Sequence, residues 1–282
     1  MSSLTRRDLL KGSAAAVGAA ALGRLALGAA APPAPPPKVL FFTKSSGYQH
    51  GVIDRHGTDE PAYAERILVG LGTLHGLDVT ASKDGRLFTP ERLAPFDAFV
   101  FYTTGDLTQP GTDKQPPMPA DGKAALLAAV AGGKGFVGIH SASDTFHSHG
   151  TAVDPYLAML GGEFVPHGKQ QKAAQHVVDP HFPGGPSADF EMFEEWYPFV
   201  HLAPDLHVIL MQETRGMQGL MYHRPPYPST WARRHGKGRV FYTSMGHRQD
   251  VWTDDTFATL LMGGLAWAVG TVGADATPNQ GK

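Results

Sequence analysis

The chain has 282 residues, no cysteine and a formal net charge of −2. The lack of cysteine excludes disulfides, a thiolate nucleophile and thiolate metal ligands; a chain of this length buries a large core without cross-links. The mild acidity gives no basic face for a nucleic acid or an anionic membrane.

Residues 1–31 read as an export signal. Thr5-Arg6-Arg7-Asp8-Leu9-Leu10-Lys11 is a twin-arginine pattern, and an Ala/Gly/Leu stretch follows it to about Ala31. A basic start, an apolar middle and small residues near the cut are the secretory design. Gly28-Ala29-Ala30 suits cleavage before Ala31. Small residues and Arg24 in the stretch argue against an internal membrane helix, with an uncleaved anchor as the alternative. The expected partner is the twin-arginine translocation machinery, and the expected location is periplasmic or secreted. Removing residues 1–30 takes away Arg6, Arg7, Lys11 and Arg24 against Asp8, so the mature charge is about −5. A protein exported folded by this route can carry a cofactor inserted beforehand.

Residues 32–37 form a stiff proline-rich spacer. One domain is expected over residues 38–270, followed by a frayed polar tail, 271–282. Val39-Leu40-Phe41-Phe42-Thr43 is an apolar run with a polar exit, the pattern of a buried strand. Residues 60–71 carry helical spacing behind Pro61, and residues 77–80 form a short strand. Thr89-Pro90 is a cap followed by a first helical position. Residues 98–102 are a second buried strand, 121–131 an Ala/Leu-rich helix, and 135–139 a third buried strand. Further on, 206–210, 230–234 and 239–243 read as strands, the last two joined as a hairpin around Gly236-Lys237-Gly238. An apolar helix over 256–269 closes the domain. Alternating strands and helices predict a three-layer α/β/α sandwich with a mainly parallel sheet.

Polar residues stand where the buried strands end. The exits are Thr43-Lys44-Ser45-Ser46-Gly47-Tyr48-Gln49-His50, Thr103-Thr104-Gly105-Asp106, His140-Ser141-Ala142-Ser143-Asp144 and Thr243-Ser244-Met245-Gly246-His247. Ligands of open α/β sheets bind at the carboxyl ends of the strands. These exits therefore converge on one crevice, with His50, His140 and His247 in it and Lys44, Thr104 and Ser141 lining it.

Several of these segments together resemble the ThuA-like (trehalose utilisation) family. They are residues 41–50, 135–142, Tyr156-Leu157-Ala158-Met159-Leu160-Gly161-Gly162-Glu163-Phe164, Phe193-Glu194-Glu195-Trp196-Tyr197 and 236–247. The resemblance implies a flavodoxin-like, class I glutamine amidotransferase-like fold and a role in sugar utilisation, with 3-keto-disaccharides the usual proposal. In amidotransferases the elbow reads G-x-C-x-G; here Gly138-Ile139-His140-Ser141-Ala142 puts His140 in the cysteine's place. His247 resembles the triad histidine, but Gln249 stands where the glutamate belongs. Thiol acyl transfer, and with it glutaminase activity, is excluded.

Imidazole titrates near about pH 6.5, so His140 and His247 suit acid–base work next to a sugar carbonyl, with Glu195 as the third catalytic candidate. His50, His140, His167 and His247, with Glu195, make a nitrogen/oxygen set for Zn²⁺ or a similar divalent ion, although no close-spaced ligand motif accompanies them. Tyr48, Tyr156 and Trp252 are candidates to stack on a sugar face, and His167 and Tyr197 to border the crevice. Asp144 either orients His140 or caps the turn that follows. The remaining histidines are assigned to surface or local structure. Three readings stay open: an enzyme acting on an oxidised glycoside, a non-catalytic sugar-binding domain, and a metal-dependent hydrolase of another small substrate.

Overall fold

The computed structural model describes residues 34–280, so the signal segment and the first two residues of the proline-rich spacer lie outside the described residues. From Pro36 the chain forms one compact unit. Its elements run β1 (Lys38–Phe42), α1 (Tyr63–Leu74), β2 (Asp78–Ser82), α2 (Pro90–Leu93), β3 (Ala98–Phe101), α3 (Gly122–Ala131), β4 (Gly135–Ile139) and α4 (Pro155–Leu160). Then come β5 (Glu163–Phe164), β6 (Gln171–Val177), β7 (Phe190–Glu194), β8 (Phe199–Val200), β9 (His207–Gln212), β10 (Tyr227–His235), β11 (Gly238–Thr243) and α5 (Asp255–Val269).

Nine strands make one sheet in the order β2-β1-β3-β4-β11-β10-β9-β6-β7, and β5 and β8 pair as a small ribbon. The sheet is parallel from β2 to β11 and antiparallel from β11 to β7. Alternate residues of the central strands face opposite layers, as the period of a strand requires. Phe41, Val100, Val137 and Phe241 pack with Leu68 of α1 and Leu265 of α5. Phe42, Phe101, Phe136 and Tyr242 pack with Leu93, Leu126 and Leu157 of α2, α3 and α4. Burial on both faces explains why these strands are apolar without interruption, each large side chain contributing about 1.5–3 kcal/mol.

Local signals set the helix ends. Thr89 caps α2 with Pro90 as its first residue, and Asp254 accepts from the N–H groups of Thr256 and Phe257 to start α5. Helix α1 begins at Tyr63, two residues past Pro61, because the Glu65 carboxylate reaches back to the N–H of Ala62 at 2.8 Å. The segment after α5 is docked. Asn279 bonds both backbone groups of Val208, and the Thr277 carbonyl accepts from His207, so the expected fraying is not seen through these residues. Strands β6 and β7 have no counterpart in the sequence reading; their Gln, Lys, Glu and Ala content hides a β-preference that pairing supplies.

Register positions the site. Phe42 of β1 lies beside Phe101 of β3, Phe101 beside Gly138 of β4, and Ile139 beside Thr243 of β11. The four exits therefore leave the sheet at one level.

Helix α5 must also sit close to β11. A Cβ on Gly264 would lie 2.7 Å from three ring carbons of Phe241. Alanine at a helical glycine gains about 1 kcal/mol, and overpacking costs about 1–3 kcal/mol. Gly264→Ala should therefore lower the unfolding free energy by up to about 2 kcal/mol in urea titration. A more stable variant would show that the helix rides farther from the sheet.

Candidate active site

Four side chains from four separate exits meet at the carboxyl edge of the parallel strands. His50 follows β1, His140 follows β4 directly, Glu195 follows β7 directly and His247 follows β11. Each offers one ligand-type atom, and these atoms all lie within 4.8 Å of one another. The three imidazole centroids are 5.0–5.3 Å apart, with the rings steeply inclined to each other. His140 is fully buried and His50 is 2% exposed.

His140 is held at every turn. Its φ is +45°, a left-handed conformation that a side-chain-bearing residue adopts only when its surroundings impose it. Its carbonyl accepts from Tyr242 Oη at 2.7 Å and from Ser143 Oγ at 3.2 Å. Its Nδ1 lies 2.7 Å from the Ser244 carbonyl. A carbonyl only accepts, so Nδ1 carries a proton and Nε2 is the nitrogen turned to the other three residues.

That nitrogen faces Glu195. Glu195 Oε2 lies 3.4 Å from His140 Nε2, 3.1 Å from His247 Nδ1 and 3.3 Å from His167 Nε2. Burial works to raise the Glu195 carboxyl, but hydrogen bonding and charge from His140 and His247 outweigh it and hold the group well below the usual carboxylate range. His50 is pushed well below the ordinary imidazole value by burial first and by His140 and His247 next, so it is neutral. His50 Nδ1, His140 Nε2 and His247 Nδ1 are buried without a well-aligned hydrogen-bond partner, the last two meeting Glu195 Oε2 only off-axis. A carboxylate and an imidazole lone pair 3.4 Å apart need a proton or a cation between them.

Glu194 braces this centre from below. It is fully buried, and its Oε2 accepts from the N–H groups of Gly246 at 2.9 Å and His247 at 3.1 Å. Its Oε1 accepts from the N–H of Glu195 at 2.7 Å. Burial pushes the Glu194 carboxyl up. Gly246 has a φ of +119°, open to glycine, and its carbonyl accepts from Tyr102 Oη and Trp252 Nε1. Tyr197 covers the other side: its ring is 4.0 Å from that of His140 and parallel to that of His167 at 5.3 Å, and its hydroxyl lies 3.4 Å from His50 Nε2.

The expected site residues thus separate. His50, His140, Glu195 and His247 come together, with Tyr197 against them. His167 adjoins Glu195 from outside and is not one of the four converging groups. Tyr48 is 67% exposed and stands edge-on to His50 at the mouth. Thr104 holds the preceding turn through the Tyr48 carbonyl and the Gly47 N–H. Ser141 is buried with its hydroxyl unpartnered.

Four expectations are corrected. Tyr156 and Trp252 are buried core residues, bonded to the carbonyls of Ala142 and Gly246, and have no face to offer a sugar. Lys44 is turned away, its Nζ toward the Gln115 carbonyl. Asp144 pairs with His147 at 3.1 Å, and the Ser244 carbonyl takes the orienting role proposed for it. Glu194 and Arg248 were not singled out. The alternation along β7, with Met192 and Glu194 inward and Glu191 and Phe193 outward, was the available signal for Glu194.

Fold and site together define an α/β/α sandwich protein with a histidine–carboxylate centre and no thiol. Residues 38–268 match the family model described as trehalose utilisation, ThuA, and the chain belongs to that family. Residues 3–23 match the twin-arginine translocation signal, which directs export by that pathway to the periplasm or beyond. Among solved structures, a ThuA-like protein of Bacteroides uniformis superposes with a TM-score of 0.65 at 20% identity, over 86% of this chain and 95% of that one. A ThuA-like protein of Parabacteroides merdae gives 0.61 at 15% identity, over 86% and 94%. A cytoplasmic protein of Salmonella typhimurium gives 0.55 at 13%, over 82% and 98%. These likenesses show the fold. A comparison with curated proteins finds no match.

Removing the Glu194 carboxylate leaves three buried N–H groups without acceptors. Each unpaired donor costs about 1–3 kcal/mol. Glu194→Ala should unfold at clearly lower denaturant concentration than the parent. Equal midpoints would show that the exits of β7 and β11 are held by something else.

Proposed function

We propose that this exported protein is a carbohydrate-utilisation enzyme that processes a 3-keto-disaccharide or a related oxidised glycoside. In this reading His50, His140, Glu195 and His247 hold a divalent cation, Zn²⁺ by the chemistry of the donor set. One observation carries it: three buried histidines, with ring nitrogens that have no well-aligned hydrogen-bond partner, converge on one ionised carboxylate. Leaving such atoms unpaired is costly, and a cation drawn to all four offsets that cost. Membership of the trehalose utilisation family supports the carbohydrate.

A bound divalent cation supplies Lewis-acid polarisation of a sugar carbonyl. The chain's own groups then manage position and protons. His140, held through Nδ1–H by the Ser244 carbonyl, turns its Nε2 to the cation. His167 is the proton carrier. Its side chain is 29% exposed, more than those of His140 and His247, so it meets substrate and solvent. Its Nδ1 donates to the Gly168 carbonyl at 2.7 Å, which leaves Nε2 beside Glu195 to take up or release a proton. The parallel stack on Tyr197 fixes the plane of its ring. Tyr48, exposed at the mouth, offers the flat face that Tyr156 and Trp252 do not.

Elemental analysis of the purified mature protein should find about one equivalent of a divalent metal, lost in His140→Ala and Glu195→Ala. Turnover of a 3-keto-glucoside should fall by about 10²–10⁴-fold in both variants, with the far-ultraviolet dichroism unchanged. Unchanged turnover in metal-free variants would contradict the catalytic assignment. Sugar binding without turnover in the metal-loaded parent would leave a binding module.

A further inference from the structure

Beside His247 the surface opens into a cavity of about 410 Å³, walled in part by Gly51, Gln170, Arg248 and Asp250. It does not end there. A second cavity of about 200 Å³ shares Gly51 and Gln249 with it, and a third of about 500 Å³ shares Asp54, Arg55, His56 and Thr58 with the second. Together they make one groove along residues 49–59 that ends on Lys83 and Asp113.

The walls are set rather than loose. Arg248 is fixed by both Asp250 oxygens, at 2.8 and 2.9 Å, and by Gln170 Oε1 at 3.0 Å. Arg55 is fixed by Glu65 at 2.8 Å. At the far end Lys83 and Asp113 have side chains only 2% and 4% exposed and stand 3.6 Å apart, Lys83 also donating to the Thr43 carbonyl. The charge along the groove cancels: carboxylates and Lys or Arg side chains line it in equal number, five of each. An anion drawn to Arg55, Lys83 or Arg248 meets the carboxylate that already holds it, and the count of charges leaves no net attraction for either sign. A neutral ligand dense in hydroxyls meets donors and acceptors throughout and desolvates no unpaired charge.

We propose that this groove binds an uncharged polyhydroxylated group, the part of the substrate remote from the histidine centre. The inner end of this assignment rests on the carbohydrate reading above; its chemical class rests on the charge balance. Phosphorylated or acidic sugars are selected against, and recognition runs through planar polar side chains instead of a stacked aromatic pair.

Gly51 stands at the junction of the first two cavities, and a Cβ there would meet nothing within 4 Å. Gly51→Trp therefore fills the groove without a backbone clash. Titration calorimetry with unoxidised trehalose should show binding to the parent and at least tenfold weaker binding to Gly51→Trp. Trehalose 6-phosphate should bind the parent more weakly than trehalose. Should Gly51→Trp fail to fold, Thr58→Trp, at an exposed position in the outer cavities, tests the same point. Absence of trehalose binding by the parent, equal affinity in a folded groove-filled variant, or tighter binding of the phosphate would overturn the assignment. Turnover is not read here. Keto-glycoside turnover without groove-dependent binding removes the groove alone, and groove-dependent binding without turnover removes the catalytic reading alone.

Discussion

The hydrogen bond from His140 Nδ1 to the Ser244 carbonyl is the contact on which the centre depends. It joins the first residue after β4 to the first residue after β11. It exists because Ile139 and Thr243 are register partners on adjacent parallel strands. The bond fixes the ring, and the ring points Nε2 at Glu195. The left-handed backbone at His140 is the local cost, borne by the bonds to Tyr242 and Ser143.

The antiparallel half of the sheet has its own part in this. Strand β7 ends at Glu194 with Glu195 directly after it, and adjacent residues of extended chain point to opposite sides. Glu194 turns inward and gathers the N–H groups of Gly246, His247 and Glu195; Glu195 turns to the imidazoles. One carboxylate thus holds the backbone and the other faces the imidazoles. Burial raises the first, while the histidines hold the second down. The same residue type serves both ends because its surroundings differ.

Much of this was legible in the sequence. The apolar runs at β1, β3 and β4 announce strands buried on both faces, and the polar residues after them announce the crevice; His50, His140, Glu195 and His247 follow from that pattern together with the family resemblance. What escaped detection did so for physical reasons. A core aromatic and a sugar-stacking aromatic are the same residue type, so Tyr156 and Trp252 could be told from Tyr48 only by burial. Lys44 belongs to a strand exit by position, yet its long side chain leaves the crevice. Strand β6 is built of residues with little preference for a sheet, and its pairing with β7 and β9 decides its conformation. The groove beyond His247 is assembled from segments distant in sequence, which no local pattern reports.

The central claim is that His50, His140, Glu195 and His247 act as one metal-binding centre. X-ray diffraction at the zinc absorption edge, on crystals of the zinc-supplemented mature protein, tests it most directly. The account predicts one anomalous peak among the four side chains, about 2.0–2.1 Å from the imidazole nitrogens and about 2.0–2.2 Å from a Glu195 oxygen. A protein saturated with zinc that shows no peak there, or one elsewhere, would contradict it.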